Sequence, residues 1–226
     1  MKCEALAITK YLSKSPNIFF IYGSEIVLRN NSKDILKNHL RELGFSEKKI
    51  ITKDQFDQIE QIIIENASGS LFGSKTLIEI HHDQGRIPDQ ITKIFQIANI
   101  EKMNNIAIII TSHNEKLNYS TKWVKQMDEN SLIVECKKLK SFEEKIWLKK
   151  ELSFVSEKDR STLLQHIYEM NLGNLVAQQN EIQILRLVYE DGMDMTNIFS
   201  ADSAEFVPFE LEDMIISKNT KHALRI

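Results

Sequence analysis

Hydrophobic and polar residues follow two different periods along the first 140 residues. Short apolar runs bounded by turn residues predict buried strands. The runs cover residues 18–22, 76–80, 106–110 and 132–134, with a weaker strand at 49–52. Between these runs, apolar residues recur every three or four positions, which predicts helices. Five strands that alternate with helices predict a largely parallel sheet covered by helices on both faces.

Cap and breaker residues predict where the helices begin and end. Ser24 is expected to cap the helix after the first strand, Gly44 to end it and Pro88 to open another. Ser141 to Glu144 has the pattern of a capping box. Gly173 is expected to end one helix and Asn174 to cap the next.

The period is helical throughout from residue 141 onward. We therefore predict three parts: an α/β domain at 1–140, a small all-helical lid domain at 141–203, and the start of a further helical domain at 204–226. The apolar pattern that begins at Phe206 is unfinished at Ile226, so we expect the last domain to be truncated. A sheet domain followed by a helical lid is the plan of nucleotide-dependent assembly ATPases.

Composition is that of a globular protein, with 226 residues, 42% of them hydrophobic and 27% charged. The net charge of −3 argues against strong generic affinity for nucleic acid. Residues 116–150 are the exception, with nine lysines against five acidic side chains. A solvated surface explains this excess, and a nucleic-acid-binding module is the alternative that stays open.

Cys3 and Cys136 are the only cysteines, which is too few for a disulfide framework or a zinc site. No apolar run reaches the ~18 residues that a membrane span needs. The N-terminus lacks the apolar core of a signal peptide. We therefore expect a cytoplasmic protein without a membrane partner.

Leu71 and Phe72 are two bulky apolar residues inside a Gly/Ser-rich connection, residues 67–74. Connections lie on the surface, where an adjacent Leu and Phe are unfavourable unless something covers them. Two interpretations are open. The pair folds back onto its own core, or a partner protein covers it.

The chemistry of nucleotide binding is missing where the fold would place it. A phosphate loop needs two glycines, a lysine and a helix N-terminus after a strand. The first strand leads instead into Gly23, Ser24 and Glu25, with no lysine. Residues 69–76 resemble a phosphate loop, but their spacing is wrong and they precede a strand. His81 and His82 point to opposite sides of a strand, which disfavours a metal site.

Four short motifs occur in order along the chain. They are Tyr22-Gly23-Ser24-Glu25, Ser70-Leu71-Phe72 with Lys75-Thr76-Leu77-Ile78, Gly173-Asn174-Leu175, and Phe206-Val207-Pro208-Phe209-Glu210-Leu211-Glu212-Asp213. Their order and spacing resemble the delta subunit of the bacterial DNA polymerase III clamp loader over almost the whole chain. Members of that family are similar in fold to AAA+ ATPases but neither bind nor hydrolyse ATP, so no cofactor, metal or catalytic residue is implied.

The resemblance implies a function in DNA replication, within a DNA-directed DNA polymerase assembly. Ser70, Leu71 and Phe72 would bind the sliding clamp, the beta subunit, with Leu71 and Phe72 inserted into a pocket on it. The neighbouring helix would favour the open ring, so the protein would open the clamp for loading on DNA.

The other implied partners are the gamma/tau and delta prime subunits, whose contacts the expected truncation would weaken, while DNA is met only indirectly. The alternative function is an ATP-binding AAA+ or P-loop ATPase with an atypical phosphate loop. Nucleotide binding would distinguish the two.

Overall fold

A six-stranded parallel sheet forms the centre of the molecule. The structure, a computed structural model, describes residues 1–14, 16–67, 74–97 and 103–189. The strands are β1 (Lys2–Glu4), β2 (Ile18–Tyr22), β3 (Phe45–Ile51), β4 (Lys75–His82), β5 (Ile106–Ser112) and β6 (Leu132–Glu135). Their spatial order is β1-β6-β2-β5-β4-β3, and every neighbouring pair is parallel. The α/β class predicted from the apolar runs is therefore confirmed.

Helices cover both faces of this sheet. They are α1 (Ile26–Glu42), α2 (Ile59–Ala67), α3 (Asp89–Ile94), α4 (Lys122–Asn130), α5 (Ser141–Glu151), α6 (Glu157–Met170) and α7 (Leu175–Val188). Buried residues of α1 and of α5 to α7 belong to the core on one side of the sheet, and those of α2, α3 and α4 belong to the core on the other side. No helix in the described part of the chain is long and apolar enough to cross a membrane.

Strand β2 shows how the two faces are built. Successive side chains of a strand point to opposite sides. Phe19 and Ile21 accordingly join the core under α1, whereas Phe20 and Tyr22 join the core under α2 to α4. Because helices cover both sides, all seven residues of β5 are buried as well. An uninterrupted apolar run is therefore the expected sequence of such a strand.

The first strand, β1, was not predicted. Its three residues alternate exposed, buried, exposed, and only Cys3 reaches the core. It lies at the edge of the sheet, where Cys3 pairs with Val134 of β6. A strand of this length with two charged residues carries too little apolar pattern to be recognised.

Two helix caps differ from the predicted ones. Glu25, rather than Ser24, caps α1, and its Oε1 accepts a hydrogen bond from the Val27 amide at 3.4 Å. Helix α5 begins after Lys140, whose amide donates to Glu143 Oε2 at 2.8 Å. The predicted capping box at Ser141 is thus shifted by one residue.

Helices α5, α6 and α7 form a unit joined by a buried carboxylate. Glu144, 2% exposed, accepts hydrogen bonds from the Gly173 amide at 3.0 Å and from the Gln178 side chain. Gly173 has φ of 72°, and Asn174 caps α7 by accepting from the Ala177 amide at 3.1 Å. The predicted break between α6 and α7 is confirmed. The predicted boundaries of the three domains stay predictions, and residues 190–226 lie outside the described residues.

Candidate functional site

The three residues predicted to bind the clamp, Ser70, Leu71 and Phe72, lie outside the described residues. The structure describes both flanks of the segment that contains them. Helix α2 ends at Ala67 on one side, and β4 begins at Lys75 on the other. The segment 68–73 therefore enters the sheet at the amino end of β4. Nucleotides bind such sheets at the opposite, carboxyl edge.

The α2 flank is held in place by side-chain amides. Asn105 Nδ2, just before β5, donates to the carbonyl oxygen of Ala67 at 3.4 Å. Asn66 Nδ2 donates to the carbonyl oxygen of Ile62 at 2.6 Å. Ile63 is fully buried in the core beneath α2. The last turn of α2 is therefore held both by a hydrogen bond from the residue before β5 and by a side-chain hydrogen bond within the helix.

The β4 flank is held by polar contacts to β3 and the end of α1. Ser74 donates to the Glu47 carboxylate. Lys75 Nζ donates to the carbonyl oxygen of Leu43 at 3.2 Å and lies 5.2 Å from the centre of the Phe45 ring. Both ends of segment 68–73 thus leave rigid elements. Rigid elements on both flanks limit the positions that the ends of such a segment can take.

A groove of about 580 Å³ lies between the turn preceding α2 and helix α3. Phe56, Ile59 and Ile94 contribute its apolar floor, and charged residues stand on its rim. Gln90 Nε2 bridges it by donating to Asp57 Oδ1 at 2.6 Å. Ile64, on α2, is 53% exposed. This surface is the side of the domain that carries the flank of segment 68–73.

At the carboxyl edge of the sheet, the chain's own groups fill the position of a phosphate loop. The Gly23 amide donates to the carbonyl oxygen of Asn114, and the Glu25 amide to that of Cys136, both at 2.9 Å. The buried Arg29 guanidinium donates back to the Gly23 carbonyl oxygen. These amides and this cation are therefore already paired within the chain.

The N-terminus of α1, where a phosphate would bind, holds the Glu25 carboxylate instead. Burial raises the pKa of this carboxyl group, while the Val27 amide and the Arg29 charge oppose the shift. An anionic phosphate would have to displace a carboxylate of the same sign. This geometry disfavours the alternative prediction of an atypical ATPase.

The second phosphate-loop-like stretch, residues 69–76, is described only from Ser74. Lys75, its lysine, starts a strand and is turned toward Phe45 and the carbonyl of Leu43. No helix begins there, because β4 follows directly. The helix N-terminus that phosphate binding requires is therefore missing at this position.

His81 and His82 point to opposite faces of the sheet, as predicted. His82 is buried, with Nδ1 3.0 Å from Ser112 Oγ and Nε2 3.2 Å from the carbonyl oxygen of Arg86. Burial lowers the pKa of both imidazoles. In the described part of the chain, no three His, Cys, Asp or Glu side chains are placed to hold a metal ion.

Glu79, in the middle of β4, is a buried carboxylate that was not singled out from the sequence. Its Oε1 lies 3.1 Å from Lys48 Nζ and 3.4 Å from Lys37 Nζ. His81 Nε2 lies 3.8 Å from the other oxygen, Oε2. The one acidic residue within the apolar run 76–80 was the available signal. Its role is to connect β4 with α1 and β3 through paired charges.

The lysines of residues 116–150 do not form one surface. Lys122 and Lys125 lie on α4, whose buried residues belong to the core on one side of the sheet. Lys145 and Lys149 lie on α5, whose buried residues belong to the core on the other side. The nucleic-acid interpretation of this segment therefore applies at most to one of these two groups.

The parallel sheet with helices on both faces, followed by a three-helix unit, is an AAA+-like fold. The solved structure of the Bacillus subtilis DNA clamp loader delta protein superimposes on it with a TM-score of 0.62 at 16% identity. This match covers 98% of this chain and 69% of that one. A sequence profile of the family "DNA polymerase III, delta subunit" matches residues 19–137. The chain therefore belongs to the DNA polymerase III delta subunit family.

A relative from Haemophilus influenzae, the DNA polymerase III subunit delta, is similar along most of this chain. The two sequences are 22% identical over 222 residues, which cover 92% of this chain and 62% of that protein. The chain thus spans a little over three fifths of the length of this relative.

Proposed function

We propose that this protein is a clamp-loader delta subunit that binds the DNA polymerase III sliding clamp and opens its ring. The contact consists of Ser70, Leu71 and Phe72, with Leu71 and Phe72 as the apolar anchors. The observation that carries the proposal is family membership, since the matched region, 19–137, includes this segment and both of its flanks.

The geometry of the flanks supports this use of the segment. Ala67 and Lys75 are both tied to the sheet, so force applied at segment 68–73 is transmitted to a rigid domain. The segment enters the sheet at its amino edge, away from the filled phosphate-loop position at Gly23. Two buried apolar anchors of this kind each contribute about 2 kcal/mol or more to an interface.

Ring opening follows from differential binding. A protein shifts the clamp toward an open ring only if it binds the open form more tightly than the closed form. Leu71 and Phe72 supply affinity, and the exposed surface of α2, which includes Ile64, supplies the contact that favours the open form. Other loader subunits, gamma/tau and delta prime, supply the ATP-driven steps that cover and release this surface.

The test is a binding measurement between the 226-residue chain and the sliding clamp of the same organism. We expect micromolar or tighter affinity, and a loss of at least about 100-fold in the Leu71→Ala/Phe72→Ala variant. The matched control is Phe142→Ala/Ile146→Ala, which removes an exposed apolar pair from α5 and should leave clamp affinity unchanged. Circular dichroism verifies that all three proteins are folded.

Absence of binding by the folded, unmutated chain would contradict the proposal. An equal loss in both variants would show that the effect is not specific to Leu71 and Phe72. Titration with ATP tests the alternative ATPase function in the same samples. Saturable ATP binding that Gly23 and Glu25 substitutions abolish would favour that alternative.

A further inference from the structure

The outer face of α5 is unusual in its combination of residues. Glu144, Trp147 and Leu148 point inward, whereas Phe142 and Ile146 are each 60% exposed. Positions four residues apart lie on the same side of a helix, so these two apolar residues are neighbours. Lys145, Lys149 and Lys150 flank them and are exposed too. We call this surface, residues 142, 145, 146, 149 and 150, the α5 face.

The positive charge of the α5 face is extended by residues just before the helix. Lys138 and Lys140 are exposed there. Within the described residues, Lys138, Lys140, Lys149 and Lys150 form no ion pair with an acidic side chain. Lys145 is partly engaged, since its Nζ lies 4.5 Å from the centre of the Tyr168 ring.

The acidic groups nearest in sequence are occupied elsewhere. The Glu143 carboxylate accepts the Lys140 amide at the start of α5. Glu151 pairs with Arg186 at 2.9 Å, and Glu4 pairs with Lys137. The α5 face therefore presents an exposed aromatic ring and lysines that are not ion-paired within the described part of the chain.

We propose that the α5 face binds single-stranded DNA directly. Lysine ammonium groups suit a chain of phosphates, and an exposed aromatic ring stacks on an unpaired base. The exposed ring of Phe142 is available for such stacking. Lys138 and Lys140 precede Phe142 along the chain, and Lys149 follows Ile146 by about one helical turn. The proposal that single-stranded DNA binds here rests on charge complementarity and on the exposed ring of Phe142. It does not depend on clamp binding.

Two other kinds of partner fit this face less well. A helix that lies on a membrane carries a broad apolar face, whereas this 11-residue helix exposes two apolar side chains among lysines. The centre of a protein interface is depleted of lysine, whereas here lysines surround Phe142 and Ile146 on several sides. Single-stranded nucleic acid uses both the charges and the ring.

Helix α4 offers a matched control on the opposite face of the sheet. Lys122 and Lys125 are exposed there, in the same lysine-rich stretch of sequence. The variants Lys149→Glu/Lys150→Glu and Lys122→Glu/Lys125→Glu change the net charge of the chain by the same amount. A difference between them therefore reports position, not total charge.

The experiment measures fluorescence anisotropy of a dye-labelled 20-nucleotide single strand, and of the corresponding duplex, with the 226-residue chain and no clamp. We expect a dissociation constant in the range of about 10⁻⁴ to 10⁻⁶ M that weakens as salt is raised. Lys149→Glu/Lys150→Glu should weaken binding about tenfold or more, and Lys122→Glu/Lys125→Glu about twofold or less.

The variant Phe142→Ala separates stacking from charge. It should weaken binding of the single strand about fivefold or more and leave duplex binding unchanged, because bases inside a duplex offer no free face for stacking. Circular dichroism verifies that the variants fold.

Equal weakening by the α4 and α5 variants would overturn the proposal, as would tighter binding of the duplex than of the single strand. Absence of any DNA binding at low salt would also overturn it. Because no clamp is present, these outcomes are distinct from success or failure of the clamp-binding test.

Discussion

At the scale of single residues, Gly23 shows how closely the filled phosphate-loop position is packed. Its φ of 134° lies in the region that favours glycine, and a Cβ there would overlap the backbone of Cys136. We expect Gly23→Ala to lower the free energy of unfolding by roughly 3 kcal/mol or more, from strain and overlap together. Urea denaturation at pH 7.5 measures this change.

Gly85→Ala is the control for backbone strain alone. Gly85 has φ of 119°, but a Cβ there would meet no atom within 4 Å. We expect this variant to lose only about 1–2 kcal/mol. Equal losses in the two variants would show that the contact with Cys136 contributes nothing to the cost.

The buried imidazole of His82 links stability to pH. Burial lowers its pKa below the ordinary value of 6.5, although the hydrogen bond to the Arg86 carbonyl opposes this shift. As pH falls through 6.5, the unfolded chain therefore gains a proton before the folded chain does, and stability falls. We expect the wild-type protein to be less stable at pH 5.5 than at pH 7.5.

The variant His82→Gln isolates this contribution, because glutamine does not titrate. Urea denaturation at both pH values should show a smaller loss in His82→Gln than in the wild type. His81→Gln serves as a comparison, since burial lowers the pKa of that imidazole in the same direction. An unchanged pH dependence in His82→Gln would contradict the assignment.

At the scale of elements, apolar pattern predicted the buried strands well and the polar ones poorly. Strand β2 and the first five residues of β5 are continuous apolar runs because both of their faces are covered. Strand β3 begins at Phe45, before the predicted start at residue 49. The prediction missed this part because five of the seven residues of β3 are exposed. Edge strands such as β3 and β1 are held by backbone pairing, which leaves no apolar pattern in the sequence.

The contacts that hold the flanks of segment 68–73 could not be predicted from the sequence, because they join different elements of the fold. The adjacent Leu71 and Phe72 among turn residues singled out segment 68–73 from the sequence. The Asn105 contact to Ala67 and the Lys75 contact to Leu43 join residues more than 30 positions apart. Local patterns carry no information about such pairs. At the phosphate-loop position, the Gly23 amide bonds to Asn114 and the Glu25 amide to Cys136, and both partners are likewise distant in sequence.

At the scale of the whole molecule, the sheet and the helical unit share one hydrophobic core. Phe19 of β2, Leu28 of α1, Trp147 of α5 and Ile182 of α7 belong to the same buried cluster. Gln179 Nε2 also donates to Asn31 Oδ1 at 3.3 Å, which joins α7 to α1. Elements that share a core lose that buried area together, so we expect the described parts to unfold as one cooperative unit.

The two tryptophans make this expectation measurable, because they lie on opposite faces of the sheet. Trp123, on α4, packs near Phe20 and Phe95, whereas Trp147 is buried in the shared core. Trp123→Phe leaves a reporter for the helical unit, and Trp147→Phe leaves one for the far side of the sheet. In each variant, urea midpoints from fluorescence and from far-UV circular dichroism should coincide. A lower fluorescence midpoint in Trp123→Phe alone would show that the helical unit unfolds first, as an independent lid.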